Sequence, residues 1–156
     1  MNRRTPELVK LAGFLGARSC AFNLNDFPAN PYRWGLSTHA SSHSRWIQLR
    51  HALIEGNLRG AYQYVTCFRL ARDWTEHFIH ALDFVEINGG IAHLTLHSWE
   101  IDLNGDWNRL DEIFREASRR KVNFQSVDNS ELFESWHHRR TPAATTANTE
   151  RTNESV

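Results

Sequence analysis

The stretch Gly89–Asp102, GGIAHLTLHSWEID, is the part of the sequence that decides the fold. Its two glycines end one element, and an apolar run begins directly after them. Successive side chains of a β-strand point to opposite faces, so Ala92, Leu94 and Leu96 form one predicted packing face. The opposite, more polar face carries Ile91, His93, Thr95 and His97. We therefore predict a strand over 91–97 whose polar face lines a pocket or a barrel interior.

His97, the last residue of this predicted strand, is the first candidate for chemistry. Ligands of parallel α/β folds bind at the C-terminal ends of the strands, which is where His97 would lie. Glu100 and Asp102 follow closely and could orient its imidazole. The alternative is a hydrogen-bonded structural histidine with a solvated acidic turn behind it. His93 is the weaker candidate of the two because it lies deeper along the same strand.

Helix signals flank this strand on both sides. Thr5, Ser44, Asp73 and Asn129 are placed to start helices, because each side chain can accept a hydrogen bond from a free backbone N–H. Apolar residues recur at helical spacing behind these starts, which predicts one packing stripe on each helix. The stripes place three tryptophans in the core: Trp46, Trp74 and Trp107.

Two further short strands are predicted, over 17–22 and 122–127. With the strand over 91–97 they alternate with the helices, and such alternation implies parallel strands covered by helices. Three strands are too few to close a barrel. We therefore expect an α/β fold with few parallel strands and flanking helices. Residues 139–156 have almost no large apolar side chains and are predicted to form a disordered tail.

Size and charge limit the possible functions. A chain of 156 residues is enough for one domain, and its 18 basic and 18 acidic side chains balance. That balance gives no electrostatic reason to expect nucleic acid or an anionic membrane as a partner. Cys20 and Cys67 form neither a disulfide framework nor a zinc pattern, and no signal peptide or membrane-spanning run is readable. We expect a cytoplasmic protein without a nucleic-acid or membrane partner.

The nine histidines of the chain make metal binding worth testing. His39 and His43, four residues apart, could hold zinc from one face of a helix. The serines between them argue against a helix, and no third ligand is evident, so metal binding is the minority interpretation. Arg33 lies between two aromatic residues in NPYRWG and could stack or pair with an anion, although loop packing is the simpler explanation.

The segment GGIAHLTLHSWEIDLNGDWNRLDEIF, which begins at Gly89, resembles the C-terminal part of polysaccharide deacetylases of the NodB-like family. A strand that ends in His-Ser-Trp-Glu, a turn, and a leucine-rich helix with a tryptophan carry the resemblance. TPELVKLAGFLGARSCAFN and the loop with YRW are similar to the preceding stretch of the same domain. The resemblance extends from Thr5 to about Trp136, and we assign residues 5–138 to it.

This resemblance implies a partial distorted (β/α) barrel and an activity on the acetamido groups of N-acetylated sugars. The family uses a divalent metal, zinc or similar, together with a base. His97 matches the family's general acid, although Thr95 stands where a leucine is usual. Trp99 is a candidate pocket wall, and Arg33 and His93 are candidate substrate-binding residues.

The family's Asp-Asp and His-x-x-x-His motifs, which supply the base and the metal ligands, are not found before His97. His39 and His43 come too late in the chain to replace them. We therefore expect no complete metal site in this chain, and a truncated deacetylase-like protein that is weakly active or inactive alone.

Two alternatives stay open. The first is a non-catalytic module that uses the polar strand face and an exposed edge to bind a carbohydrate or a protein. Its protein partner would be a second copy or a missing N-terminal half. The second is a small metalloprotein that uses His39, His43 and either His93 or His97.

Overall fold

The structure, a computed structural model, describes residues 4–41, 44–54 and 56–140. The chain divides into two compact units, residues 1–126 and residues 127–156. The elements of the first unit are α1 Thr5–Leu11, β1 Thr38–His39, α2 Arg45–Ile54, α3 Leu58–Thr66, α4 Trp74–Asn88, β2 Leu94–Thr95, α5 Ser98–Asn104 and α6 Trp107–Arg119. The second unit contains α7, Asn129–Arg140.

The fold is mixed α/β and mostly helical, as expected, but the described residues form only two short strands. These strands, β1 and β2, are parallel and pair Thr38 with Leu94 and His39 with Thr95. The Ala40 backbone N–H donates to the Thr95 carbonyl at 2.8 Å and extends the pairing past β1. The described residues thus show a parallel pair of strands, and the expected partial barrel is not shown among them.

Two of the predicted strands are wrong. Residues 17–22 contribute only a single parallel bridge, between Arg18 and Trp34. Residues 122–127 form a turn and irregular backbone, with Val122 90% exposed. A short apolar run becomes a strand only where a neighbouring strand offers hydrogen bonds and a packed face, and local propensity does not contain that information. The strand predicted over 91–97 shrinks to β2 for the same reason.

Helices begin at or next to the four predicted starts, and Asp73 is confirmed as a side-chain cap, whereas α1 has Arg4 as its N-cap residue and no side-chain cap hydrogen bond. Asp73 caps α4, because its carboxylate accepts hydrogen bonds from the backbone N–H groups of Thr75 and Glu76. Gly89 ends α4 with a φ of 72°. In the second unit, Asp128 and Glu131 form a reciprocal capping box at the start of α7. Helix α7 continues to Arg140, and the remainder of the predicted tail, 141–156, lies outside the described residues.

The entry into β2 is determined by a close backbone contact. Gly90 has a φ of +119°, and a Cβ atom there would lie 2.2 Å from the Asn25 carbonyl oxygen. The same carbonyl accepts a hydrogen bond from the Ile91 backbone N–H at 2.7 Å. A glycine is required here because any other side chain would push the loop away from the start of the strand.

The core of the first unit lies between α4, α6 and the strand pair. Its buried residues are Ala40, Tyr64, Phe68, Trp74, Phe78, Ala81, Leu82, Ile101, Leu110 and Ile113. Leu94 and Leu96 pack against it, so the predicted packing face of the strand is confirmed. Trp74 is in the core as predicted, but Trp46 is 81% exposed and Trp107 is 50% exposed, so those two predictions are wrong.

Helix α5 is the element that the sequence analysis missed. It begins one residue after His97, where a turn was expected, and it ends at Gly105, which has a left-handed φ of 67°. Ile101 is fully buried and holds this short helix against the core. None of the helices among the described residues combines the length and the apolar character that crossing a bilayer requires.

Candidate functional site

The strand pair brings two histidines from distant parts of the chain to the same edge. His39 ends β1 and pairs with Thr95, which lies two residues before His97. Because the strands are parallel, both histidines lie at the C-terminal end of the pair. The rings of His39 and His97 are 5.5 Å apart between centroids and nearly perpendicular, at 70°. The prediction that His97 lies at a C-terminal strand end therefore agrees with the fold.

Helix α5 adds a carboxylate to these histidines. His97 is its N-cap residue, and Glu100 lies in its first turn. Residues three apart lie on the same side of a helix, so Glu100 lies on the side of α5 that also carries His97. The ligand atoms of His39, His97 and Glu100 all lie within 4.8 Å of one another, and we call these three residues the His-His-Glu cluster.

Charge and burial are distributed unevenly within the His-His-Glu cluster. His39 Nε2 lies 3.2 Å from Glu100 Oε2, and the two side chains are 13% and 18% exposed. His97 is exposed. Glu100 Oε2 is itself buried, and no described residue donates a hydrogen bond to it in good geometry. The cluster therefore combines a poorly compensated carboxylate oxygen with two imidazoles, one of them accessible from solvent.

Aromatic rings border the His-His-Glu cluster. The Trp99 indole is nearly parallel to the His97 ring, at 19°, with 6.0 Å between centroids, and it is 62% exposed. Phe22 lies on the other side, 6.2 Å from the His39 ring. An exposed indole next to an exposed imidazole offers a flat apolar face beside a group that can transfer a proton.

A cavity of about 200 Å³ adjoins His39. It is lined by Phe22, Asn23, His39, Ile47, Gln48, His51, Ala52, Asn57 and His77. His77 is 4% exposed; its Nδ1 lies 2.8 Å from Thr38 Oγ1, and Phe68 stacks on its ring at 4.1 Å. The cavity wall is therefore mostly apolar, with His39 as the residue shared with the His-His-Glu cluster.

His93 is not part of the His-His-Glu cluster. An Arg18 N–H donates to His93 Nδ1 at 2.6 Å, and the imidazole is more than half buried. Burial and the positive charge of Arg18 lower the pKa of His93 to about 4, although a hydrogen bond with the Gly35 backbone opposes the shift. His93 is therefore held neutral at pH 7, in a structural contact and not at the expected substrate site.

The remaining candidates lie elsewhere. Arg33 is exposed, and its backbone N–H donates to the Asn30 carbonyl at 3.0 Å. Asp102 accepts a hydrogen bond from the Trp107 indole at 2.5 Å, so it does not orient His97. His43 lies outside the described residues. Sequence reasoning placed Glu100 beside His97 and grouped His39 with His97 only in the metalloprotein alternative, because no local pattern reports the pairing of two distant strands.

Comparison with known proteins adds no assignment: no family model, no curated protein and no solved structure matches this chain. The geometry of the site therefore carries the functional argument. Two imidazoles and one carboxylate at a strand edge are able to transfer protons or to ligate a cation.

Proposed function

We propose that this chain is a polysaccharide deacetylase-like protein that contributes the proton donor for hydrolysis of N-acetylated sugars. The position of His97 carries the proposal: it is exposed, it follows a parallel strand, and Trp99 and Glu100 flank it. The resemblance of the segment that begins at Gly89 to the NodB-like family supports the same role. Outside that resemblance, the proposal depends on the geometry alone.

The proton moves in the step that breaks the amide bond. After water has added to the acetyl carbon, the C–N bond breaks and its electron pair stays on the nitrogen. A His97 imidazolium gives its proton to that nitrogen, so the sugar leaves as a free amine and the acetyl group leaves as acetate. The exposed face of Trp99 packs on the sugar ring and holds the nitrogen near the imidazole.

The family's metal, a Lewis acid that activates water, does not fit the residues present. The family draws its ligands and base from motifs that precede the proton donor, and this sequence has no Asp-Asp motif before His97. His39, which begins the first of two His-x-x-x-His spacings, lies beside Glu100 and the proposed proton donor. We derive no step that uses the metal, and we expect slow or undetectable acetate release by the chain alone.

Sugar binding is the primary test, because it does not require the water-activating groups. The purified chain is titrated with acetylated chito-oligosaccharides by calorimetry, and acetate release is assayed in parallel with added zinc or cobalt. We expect binding that Trp99→Ala weakens about fivefold, since an aromatic stacking contact contributes about 1 kcal/mol. Any acetate release should disappear in His97→Ala.

Trp46→Ala is the matched control, because Trp46 is also exposed but lies on α2, away from the His-His-Glu cluster. It should leave sugar binding unchanged. Absence of both sugar binding and acetate release in the folded wild-type chain would contradict the proposal. Rapid acetate release that depends on His97 would instead contradict the expectation that the chain lacks its water-activating groups.

A second candidate function is assembly with another protein chain. The observation that favours it is an exposed apolar surface on α2 and α3, two helices that contact each other. We define this α2–α3 surface by Trp46, Ile47, Leu53, Ile54, Leu58, Tyr62 and Val65. Contiguous apolar patches are uncommon on monomeric proteins and mark sites of association.

A further inference from the structure

We propose that the His-His-Glu cluster is a site for a divalent transition-metal cation, with zinc as the preferred ion. Its ligands are one nitrogen each from His39 and His97 and a carboxylate oxygen of Glu100. Two imidazoles and one carboxylate form a donor set that suits zinc and leaves a further coordination position for water. The cation site goes beyond the proposed function, and only its effect on His97 as a proton donor rests on that function.

The distances within the cluster are close to what a zinc ion needs. Because zinc–ligand bonds are about 2.0 Å long, neighbouring ligand atoms of a tetrahedral site lie about 3.3 Å apart. His39 Nε2 and Glu100 Oε2 are already 3.2 Å apart. The remaining separations are at most 4.8 Å and have to shorten when a cation binds, and His97 is the exposed residue among the three ligands.

The burial of the Glu100 carboxylate is a second reason to expect a bound cation at this cluster. Its Oε2 atom is buried and accepts no hydrogen bond of good geometry among the described residues, although the His39 imidazole lies 3.2 Å away. A buried carboxylate oxygen without a donor is unfavourable, and a cation bound between it and the imidazoles removes that cost. The backbone fixes the other side of the site, because β1 holds His39 and the first turn of α5 holds Glu100.

Binding of a cation would also regulate His97. An imidazole that ligates a metal through one nitrogen is no longer an imidazolium and has no acidic proton to give to a leaving amine. Zinc at the His-His-Glu cluster would therefore inhibit the proposed proton donor instead of assisting it. This role differs from that of the family's metal, which activates water.

The test uses the full chain without an affinity tag, treated with a chelator and titrated with Co²⁺ and Zn²⁺. We expect about one Co²⁺ per chain, with the strong visible absorption of four- or five-coordinate cobalt that Zn²⁺ abolishes and Mg²⁺ does not. Zn²⁺ should raise the thermal midpoint of the wild type, because it binds the folded chain. These readouts do not depend on sugar binding or acetate release.

Substitutions at the three ligand positions test which residues hold the cation. His97→Ala and Glu100→Gln change partly exposed side chains and should each weaken Co²⁺ binding by more than about tenfold. His39→Ala should do the same, with its folding checked by circular dichroism. His138→Ala is the matched control, an exposed histidine of the second unit, and should leave Co²⁺ binding unchanged.

Either of two results would overturn the inference. The first is a folded wild-type chain that binds neither Co²⁺ nor Zn²⁺ at a defined stoichiometry. The second is binding that His43→Ala weakens and that His97→Ala and Glu100→Gln do not, since the cation would then be held by other residues.

Discussion

The contact between Arg18 and His93 shows how one residue can be misassigned from its strand position. Both lie on elements next to the site, yet Arg18 donates to the imidazole, and burial and positive charge keep that imidazole neutral. A histidine that is held neutral this far below its usual pKa is a poor proton donor near pH 7. The structural role therefore explains His93 better than substrate binding does.

The lowered pKa of His93 predicts a pH dependence of stability. In the unfolded chain the imidazole takes up a proton near pH 6.5, whereas in the folded chain it does so only near pH 4. The unfolded state therefore binds more protons between these values, and the free energy of unfolding falls as the pH is lowered through this window. We expect a loss of about 2 kcal/mol from this residue, after allowance for the partial exposure of the ring.

Urea denaturation between pH 7 and pH 4 measures this effect. Carboxylates and other histidines also titrate in this range, so the informative quantity is the difference between the wild type and His93→Gln. We expect a shallower decline in the variant, whose amide oxygen still accepts from Arg18. His138→Gln, at an exposed site, serves as the control. Identical profiles for the wild type and His93→Gln would show that the shift is absent.

Part of the His-His-Glu cluster could be predicted from the sequence. The position of His97 at a strand end and the closeness of Glu100 follow from short-range patterns, and both agree with the structure. His39 was grouped with His97 only in the metalloprotein alternative and not with Glu100, because its place depends on the pairing of β1 with β2 across more than fifty residues of chain. Such pairing is long-range information that a periodicity does not contain.

At the level of elements, a buried polar network joins α4 to α6. The Trp74 indole N–H donates to Asp106 Oδ2 at 3.0 Å, and Arg109 pairs with Asp106 Oδ1 at 2.9 Å. Arg109 also pairs with Asp73, the cap of α4, and its guanidinium lies 5.2 Å from the centroid of the Trp74 ring. Asp106 is 6% exposed, so it connects the starts of both helices from inside the fold.

We predict that Asp106→Ala lowers the free energy of unfolding by about 2–3 kcal/mol, because it leaves the buried Trp74 indole N–H without its acceptor and removes one of the two carboxylates that pair with Arg109. Asp111→Ala on the same helix is the matched control. Asp111 pairs only with Arg115 among the ion pairs of the described residues, and both side chains are more than half exposed. Its loss should cost about 0.5 kcal/mol. Equal effects of the two variants in urea denaturation would contradict the proposed role of the network.

Helices were easier to predict than strands, because the residues that begin and end a helix lie within a few positions of each end. Asp73 and Gly89 mark the two ends of α4 through their own hydrogen bonds and φ angles, so short-range sequence is sufficient. Helix α5 was not predicted because it is only 7 residues long and has one buried residue, Ile101. A single buried residue does not produce the repeating apolar pattern that indicates a helix. The predicted strand over 122–127 failed because it has no neighbouring strand among the described residues.

At the level of the whole molecule, the α2–α3 surface is the largest departure from the expected distribution of apolar side chains. The helical pattern placed Trp46 in the core, and yet it is 81% exposed, while Ile54 and Leu58 are 70% and 68% exposed. An amphipathic pattern indicates that a face is to be buried but does not say by what. Burial of this face by another protein chain would account for the pattern, and the partner simplest to test is a second copy.

We therefore predict that the purified chain self-associates through the α2–α3 surface. Sedimentation velocity at about 10 μM, a concentration at which contacts worth about 8 kcal/mol remain formed, should show a dimer or a larger species. Trp46→Ser should shift the chain toward the monomer while the circular dichroism spectrum of the folded chain stays unchanged, since an exposed side chain contributes little to the core. Ile87→Ser is the matched control, because Ile87 is 82% exposed but lies on α4. A monomeric wild type, or equal association of both variants, would exclude this surface as the interface and remove the main support for an assembly function.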